Sequence, residues 1–121
     1  MEKKLIVAGT VLLSLLITGV SLAYTNEIQV TSKSIELNNI AYCESGGTHF
    51  NKNGQVIMNV NTNKSVDMGI YQINLGYWSK TAGRMELDLS KESDNRAFAS
   101  WLYDEYGTQP WSASKHCWSK I

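Results

Sequence analysis

The chain has 121 residues, 11 Lys and Arg against 11 Asp and Glu, two Cys and a single Pro. That length argues for one domain, because a second core would leave each too small to be stable. A formal charge of zero with no basic block excludes a nucleic-acid binder that works by neutralising phosphates, and 43% apolar residues exclude a disordered chain.

All 12 aromatic residues lie after residue 23. Residues 1–23 read as a leader: Lys3 and Lys4 precede an uncharged run from Leu5 to Ala23, and small residues Ser21 and Ala23 stand before a cut ahead of Tyr24. This is the pattern of a secretory signal peptide. The alternative is an uncleaved anchor, since such a run reaches about 30 Å as a helix, the thickness of a bilayer core. Gly9, Thr10, Ser14 and Gly19 dilute the run and favour cleavage. Either reading puts the rest of the chain outside the cytoplasm, secreted or in the cell envelope. The membrane then enters only through residues 5–23, if these are retained. Without residues 1–23 the formal charge is −1, which suits an uncharged substrate such as a glycan without identifying one.

Export changes the meaning of Cys43 and Cys117, one early and one late in a domain that benefits from a covalent staple. The expectation is a disulfide; two unrelated thiols are the alternative.

The next segments follow in chain order. Residues 24–33 are a polar lead-in, and the domain proper spans 34–121. Ser34 is placed to cap a helix that starts at Ile35. Leu37, Ile40, Ala41 and Glu44 fall at i, i+3, i+4 and i+7, one stripe of that helix, and Ser45-Gly46-Gly47 stops it. Asn53-Gly54, between His49-Phe50 and Val56-Ile57-Met58, is a two-residue hairpin signal. Asn59, Asn61, Asn63 and Ser65 mark a second turn, followed by an extended run from Val66 to Asn74. Leu75–Ala82 reads as a short helix ended by Gly83. Ser93 or Asp94 caps a longer helix through Tyr106, with Ala97, Phe98, Trp101 and Leu102 as its buried stripe and Gly107 as its stop. Pro110 suits the first turn of a final helix, Trp111–Trp118. The class is α+β, mainly α, with a small antiparallel sheet inserted after the first helix.

Glu44 is chemically out of place. A carboxylate on an apolar stripe is desolvated, and the C-terminal end of a helix carries negative partial charge. Both effects raise its pKa, and a protonated carboxyl near neutral pH is what a general acid requires. A solvated Glu at a helix end is the plainer reading of the helix taken alone.

Two blocks decide between them. Glu44-Ser45-Gly46-Gly47 and Asp67-Met68-Gly69-Ile70-Tyr71-Gln72-Ile73-Asn74 resemble the soluble-lytic-transglycosylase (SLT) family of peptidoglycan-cleaving enzymes, above all its small exported members. The same blocks look like those of c-type lysozymes, of the same lysozyme-like superfamily. Asn51-Lys52-Asn53-Gly54 between them is similar to the hairpin that both groups share. The resemblance spans roughly Ile35–Trp118.

The resemblance implies a lysozyme-like fold, a monomer, and peptidoglycan glycan strands as partner. It makes Glu44 the acid that protonates the oxygen between N-acetylmuramic acid and N-acetylglucosamine. In a lytic transglycosylase the same carboxylate then takes the proton of the muramic acid C6 hydroxyl, which attacks the anomeric carbon and leaves a 1,6-anhydro end. In a hydrolytic lysozyme a second carboxylate assists and water completes the reaction. Asp67 stands at that second position, with an orienting role in the hairpin as its alternative. Gln72 and Asn74 match residues of the cleft floor, where their amides either bind sugar or satisfy backbone. Trp111, followed by Cys117, resembles the late Trp and Cys of c-type lysozymes, where the Trp walls in the catalytic Glu, with core packing as the alternative. The Ala-Tyr-Asn stretch of larger SLT domains is missing; Tyr103 and Tyr106 stand there instead and inherit no role. Tyr71 and Ile73 are expected in the core.

His49 and His116 are too few and too far apart for a metal site and read as surface residues. Asn51–Gly54 lacks the acidic ligands of a calcium loop. No metal, cofactor or nucleic acid is expected. The leading expectation is a lytic transglycosylase. Its rivals are a hydrolytic lysozyme, a glycan-binding module without turnover, and a structural secretion-system component.

Overall fold

The computed structural model describes Glu27, Gln29 and residues 31–121. The leader of residues 1–23, its cleavage site and part of the lead-in lie outside the described residues. Among the described residues, no helix is long and apolar enough to cross a membrane. The chain divides into two units between Ile35 and Glu36.

In the first unit Glu27, Gln29 and residues 31–35 are helical. This corrects two expectations. The described residues of the lead-in, Glu27, Gln29 and 31–33, are helical and join the helix expected to start at Ile35, and Ser34 is not a cap. Its hydroxyl donates to the Thr31 carbonyl within the helix (3.0 Å), a local bond that Ser forms as readily as a cap.

In the second unit α1 occupies residues 36–45. Leu37, Ile40 and Ala41 bury its inner face, as their spacing requires. Gly46, with φ +69°, ends it, and the Gly46 N–H caps the Tyr42 carbonyl at 2.9 Å.

The hairpin after α1 differs in detail from the expected two-residue turn. Phe50 and Val56 form a single antiparallel bridge. The turn is Asn51–Gly54, closed by Gly54 N–H to Asn51 O (2.9 Å), with Gly54 at φ +75°. Asn51 Oδ1 accepts from the Asn53 and Gln55 N–H groups. This side-chain-supported turn competes successfully with the shorter one. A three-stranded antiparallel sheet follows in the order β1 (Met58–Val60), β2 (Val66–Met68), β3 (Ile73–Asn74). Asp67 is opposite Asn59 on one side and Asn74 on the other.

The turn between β2 and β3 is locked to α3 (Glu92–Tyr106) and to the loop before it by two buried polar side chains. His49, expected at the surface, is only 2% exposed. Its Nε2 donates to the Ser90 carbonyl at 2.9 Å and its Nδ1 accepts from the Ile70 N–H at 3.1 Å, so both ring nitrogens are satisfied. Asn95 is fully buried; it donates to the Met68 and Leu89 carbonyls and accepts from the Tyr71 N–H. Gly69, at φ +79°, sits against both. A Cβ there would lie 2.5 Å from Asn95 Nδ2 and from His49 Cε1. Gly69→Ala should therefore destabilise the protein by about 2–4 kcal/mol, from the left-handed backbone and overpacking together. Chemical denaturation measures this, and a loss below about 1 kcal/mol would contradict the packing described.

The remaining helices correct several boundaries. The first, α2 (Leu75–Arg84), passes through Gly83 and stops where the Met85 N–H bonds back to Ala82 and Thr81 carbonyls. Neither Ser93 nor Asp94 caps α3, which starts after Lys91. Asp94 instead accepts from the Asp88 N–H at 3.0 Å, holding the preceding loop. Phe98 and Leu102 are buried as expected, whereas Ala97 is exposed and Ala99 takes its place. Gly107 ends α3. The expected final helix is a 3-10 segment, Gln109–Ser114, that gives way to a short α4, Lys115–Trp118. Trp111, with φ −109° and ψ 24°, breaks the helical path.

Cys43 and Cys117 form a disulfide with Cα atoms 5.9 Å apart, joining α1 to α4. The core is one cluster in which α1, the β2–β3 turn, α3 and the C-terminal segment meet around Ile40, Ile70, Phe98, Leu102 and Trp111. Tyr71 and Ile73 belong to it, as expected.

Candidate active site

The end of α1, the sheet and the 3-10 segment enclose a cleft of about 470 Å³. Glu44, Asp67, Gln72, Asn74 and Trp111, all singled out by their sequence context, line it together. Tyr77 and Trp78 of α2 add a rim, as do Gln109–Ala113.

Glu44 stands in the last turn of α1 because it continues the buried stripe of Leu37, Ile40 and Ala41. Burial pushes its carboxyl above the ordinary 4.5, and the charge of Asp67 adds to that. A hydrogen bond from Ser114 acts the other way: Ser114 Oγ donates to Glu44 Oε1 at 2.5 Å. Desolvation is the largest of the three. Trp111 lines the same cleft. Its indole N–H donates to the Tyr71 carbonyl at 3.0 Å, so its polar edge is already engaged, and the ring can serve the cleft as apolar surface. It belongs both to the core and to the cleft lining.

Asp67 is held differently. Its Oδ1 accepts from Asn74 Nδ2 at 2.7 Å and its Oδ2 from Asn61 Nδ2 at 2.9 Å. Both amides also reach Ser65 Oγ, each at 3.0 Å. The β2–β3 register sets Asn74 opposite Asp67, and the Asn61–Ser65 turn brings in the second amide. The result is a carboxyl group anchored at both oxygens in the same cleft lining as the desolvated Glu44.

The two other amides of the floor are largely committed within the protein. Gln72 Nε2 donates to the Gly69 carbonyl at 2.8 Å, inside its own turn. Asn74, besides anchoring Asp67, caps α2 by accepting from the Tyr77 N–H at 3.2 Å. Asn74 thus positions Asp67 with its amide nitrogen and α2 with its amide oxygen.

Three contributors escaped the sequence reading. Ser114 reaches Glu44 across 70 residues of chain, and no local pattern marks it. Asn61 was legible only as a turn residue. Tyr77, 80% exposed at the cleft rim, follows the Gln-Ile-Asn stretch but has no periodicity to single it out.

Tyr103 and Tyr106 lie away from the lining. Tyr103 donates to the Glu36 carboxylate, which with partial burial pushes its phenol up to about 12. Tyr106 packs beside Trp78 and Trp101. Among the described residues no three His, Cys, Asp or Glu are grouped to hold a metal ion.

No protein-family model, curated protein or solved structure matches this chain.

Proposed function

We propose that the protein is an exported glycan-strand-cleaving enzyme with a lysozyme-like fold, acting on peptidoglycan as a lytic transglycosylase. The observation that carries this reading is the pair of unlike carboxyl groups in one cleft. Glu44 is desolvated and raised, while Asp67 is anchored by two amides. Carboxyl groups placed in such unlike environments divide acid and charge-stabilising roles between them, as they do in lysozyme.

In the proposed reaction the strand lies in the cleft with a glycosidic oxygen beside Glu44. Glu44 gives its proton to that oxygen, and the anomeric C–O bond breaks with its electron pair going to the leaving sugar. Positive charge building at the anomeric centre is stabilised by the Asp67 carboxylate. Glu44, now ionised, accepts the proton of the muramic acid C6 hydroxyl as that oxygen bonds to the anomeric carbon. Closure by this internal hydroxyl, with no water consumed, is what makes the reaction a transglycosylation. Similarity of Glu44–Gly47 and of the 67–74 block to the small exported members of the SLT family supports the same choice. Secretion or envelope localisation, and action as a monomer without a cofactor, belong to this proposal.

The anchored Asp67 also favours a second reading, hydrolysis of the same bond by a lysozyme mechanism. Mass spectrometry of products from purified peptidoglycan separates the outcomes. Anhydro-muropeptides are expected; reducing ends would assign hydrolysis, and intact strands would leave a glycan-binding module.

A further inference from the structure

Ser114 has one hydroxyl proton and two acceptors within reach, Glu44 Oε1 at 2.5 Å and the Trp111 carbonyl at 3.2 Å. The carbonyl does not need it, because Trp118 Nε1 already donates there at 3.0 Å. A charged or strongly polar acceptor at the shorter distance takes the proton. Ser114 is carried on the last residue of the 3-10 segment, three positions before the cysteine that is tied to Cys43. Cys43 in turn immediately precedes Glu44. Donor and acceptor are therefore each fixed within a few residues of one covalent bridge.

We propose that Ser114 is a positioning residue for Glu44: its hydroxyl claims Oε1 as an acceptor and leaves Oε2 as the oxygen that delivers the acid proton. The inference rests on the glycan-cleaving reading above. A neutral carboxyl has one hydroxyl and one carbonyl oxygen. With Oε1 accepting from Ser114, the proton resides on Oε2. When Oε2 gives that proton to the bridging oxygen, the C–O electron pair leaves with the departing sugar and the carboxyl becomes an anion. The Ser114 O–H then faces a full charge instead of a neutral acid, so the bond strengthens as the transfer proceeds. An interaction stronger in the transition state than in the ground state accelerates the step.

The other ionisable groups lining the cleft are Asp67, from β2, and the exposed Tyr77 phenol, from α2. Asp67 opposes ionisation of Glu44, whereas Ser114 favours it. Removing Ser114 therefore has a definite sign.

The test uses the full chain with its Glu side chains labelled with ¹³C at the carboxyl. The Glu44 signal is assigned by its absence from Glu44→Gln, and no glycan is needed. Ser114→Ala should move the Glu44 midpoint to higher pH, and Ser114→Thr, which keeps the hydroxyl, should leave it near wild type. On peptidoglycan, Ser114→Ala should lower kcat by about 10-fold with KM little changed, the scale of one charge-assisted hydrogen bond. The proposal is overturned if the Ala protein titrates as wild type, or if the Thr protein titrates as Ala with its circular dichroism intact. Should wild type release no products from peptidoglycan, the glycan reading fails, and the titration still decides whether Ser114 holds Glu44.

Discussion

Glu44→Gln is expected to lose glycan cleavage and, at neutral pH, to melt at a higher temperature than wild type. The loss follows from the proposed role: a positioned general acid contributes about 10²–10⁴-fold to rate, and an amide has no proton of suitable acidity to give. The gain follows from linkage. Burial raises the carboxyl in the folded protein above its ordinary 4.5. Between those two values the folded state holds a proton that the unfolded state has released. Stability therefore falls as pH rises through that window, and the deficit persists above it. Gln cannot ionise and escapes this deficit, yet its side-chain oxygen still accepts from Ser114. Below the ordinary carboxylate range both proteins are uncharged at this position and should melt alike. Thermal melts at an acidic and a neutral pH, paired with product analysis, test both parts. Equal melting at neutral pH would remove the desolvation argument, and residual turnover near wild type would remove the acid.

Replacing Cys43 and Cys117 together with Ser should give the largest loss of stability. The bridge spans 74 residues of chain. In the chain-entropy model, a loop of that size contributes about 4.5 kcal/mol by restricting the unfolded state. For a domain of this size each kcal/mol corresponds to a shift of roughly 4–8 °C in Tm, so a drop of about 20–30 °C is expected. Cleavage products formed at low temperature should keep their chemical type, because neither sulfur takes part in proton transfer. An unchanged Tm would mean that packing of Trp111 and Trp118 alone holds the C-terminal segment onto α1. A change of product type would mean that the bridge governs access of water to the anomeric carbon.

Several elements of this protein were readable as local patterns. Three apolar residues and Glu44 on one stripe define α1 and commit Glu44 to the interior side. Gly46 stops it, since few other residues accept a positive φ. Asn61–Ser65 and Gly107 act as turn and stop where their chemistry suggests. The cap positions were less legible. Ser34 and Asp94 both carry oxygens fit for capping, but each found another backbone group within a few residues. Gly83 was passed over by one residue: the helix continues to Arg84, and the Met85 N–H closes it on the Thr81 and Ala82 carbonyls.

The unlike environments of the two carboxyl groups have another origin. Glu44 is desolvated where the packed elements meet and contacted by Ser114, seventy positions away, and Asp67 is anchored by one amide from a turn and one from the neighbouring strand. His49 reads as a polar surface residue until Ser90 and the Ile70 N–H close around it. Periodicity and turn chemistry act over a few residues and so show themselves in one dimension. Burial, hydrogen-bond partners and proton affinity depend on segments far apart in the chain, and they come into being only when those segments pack.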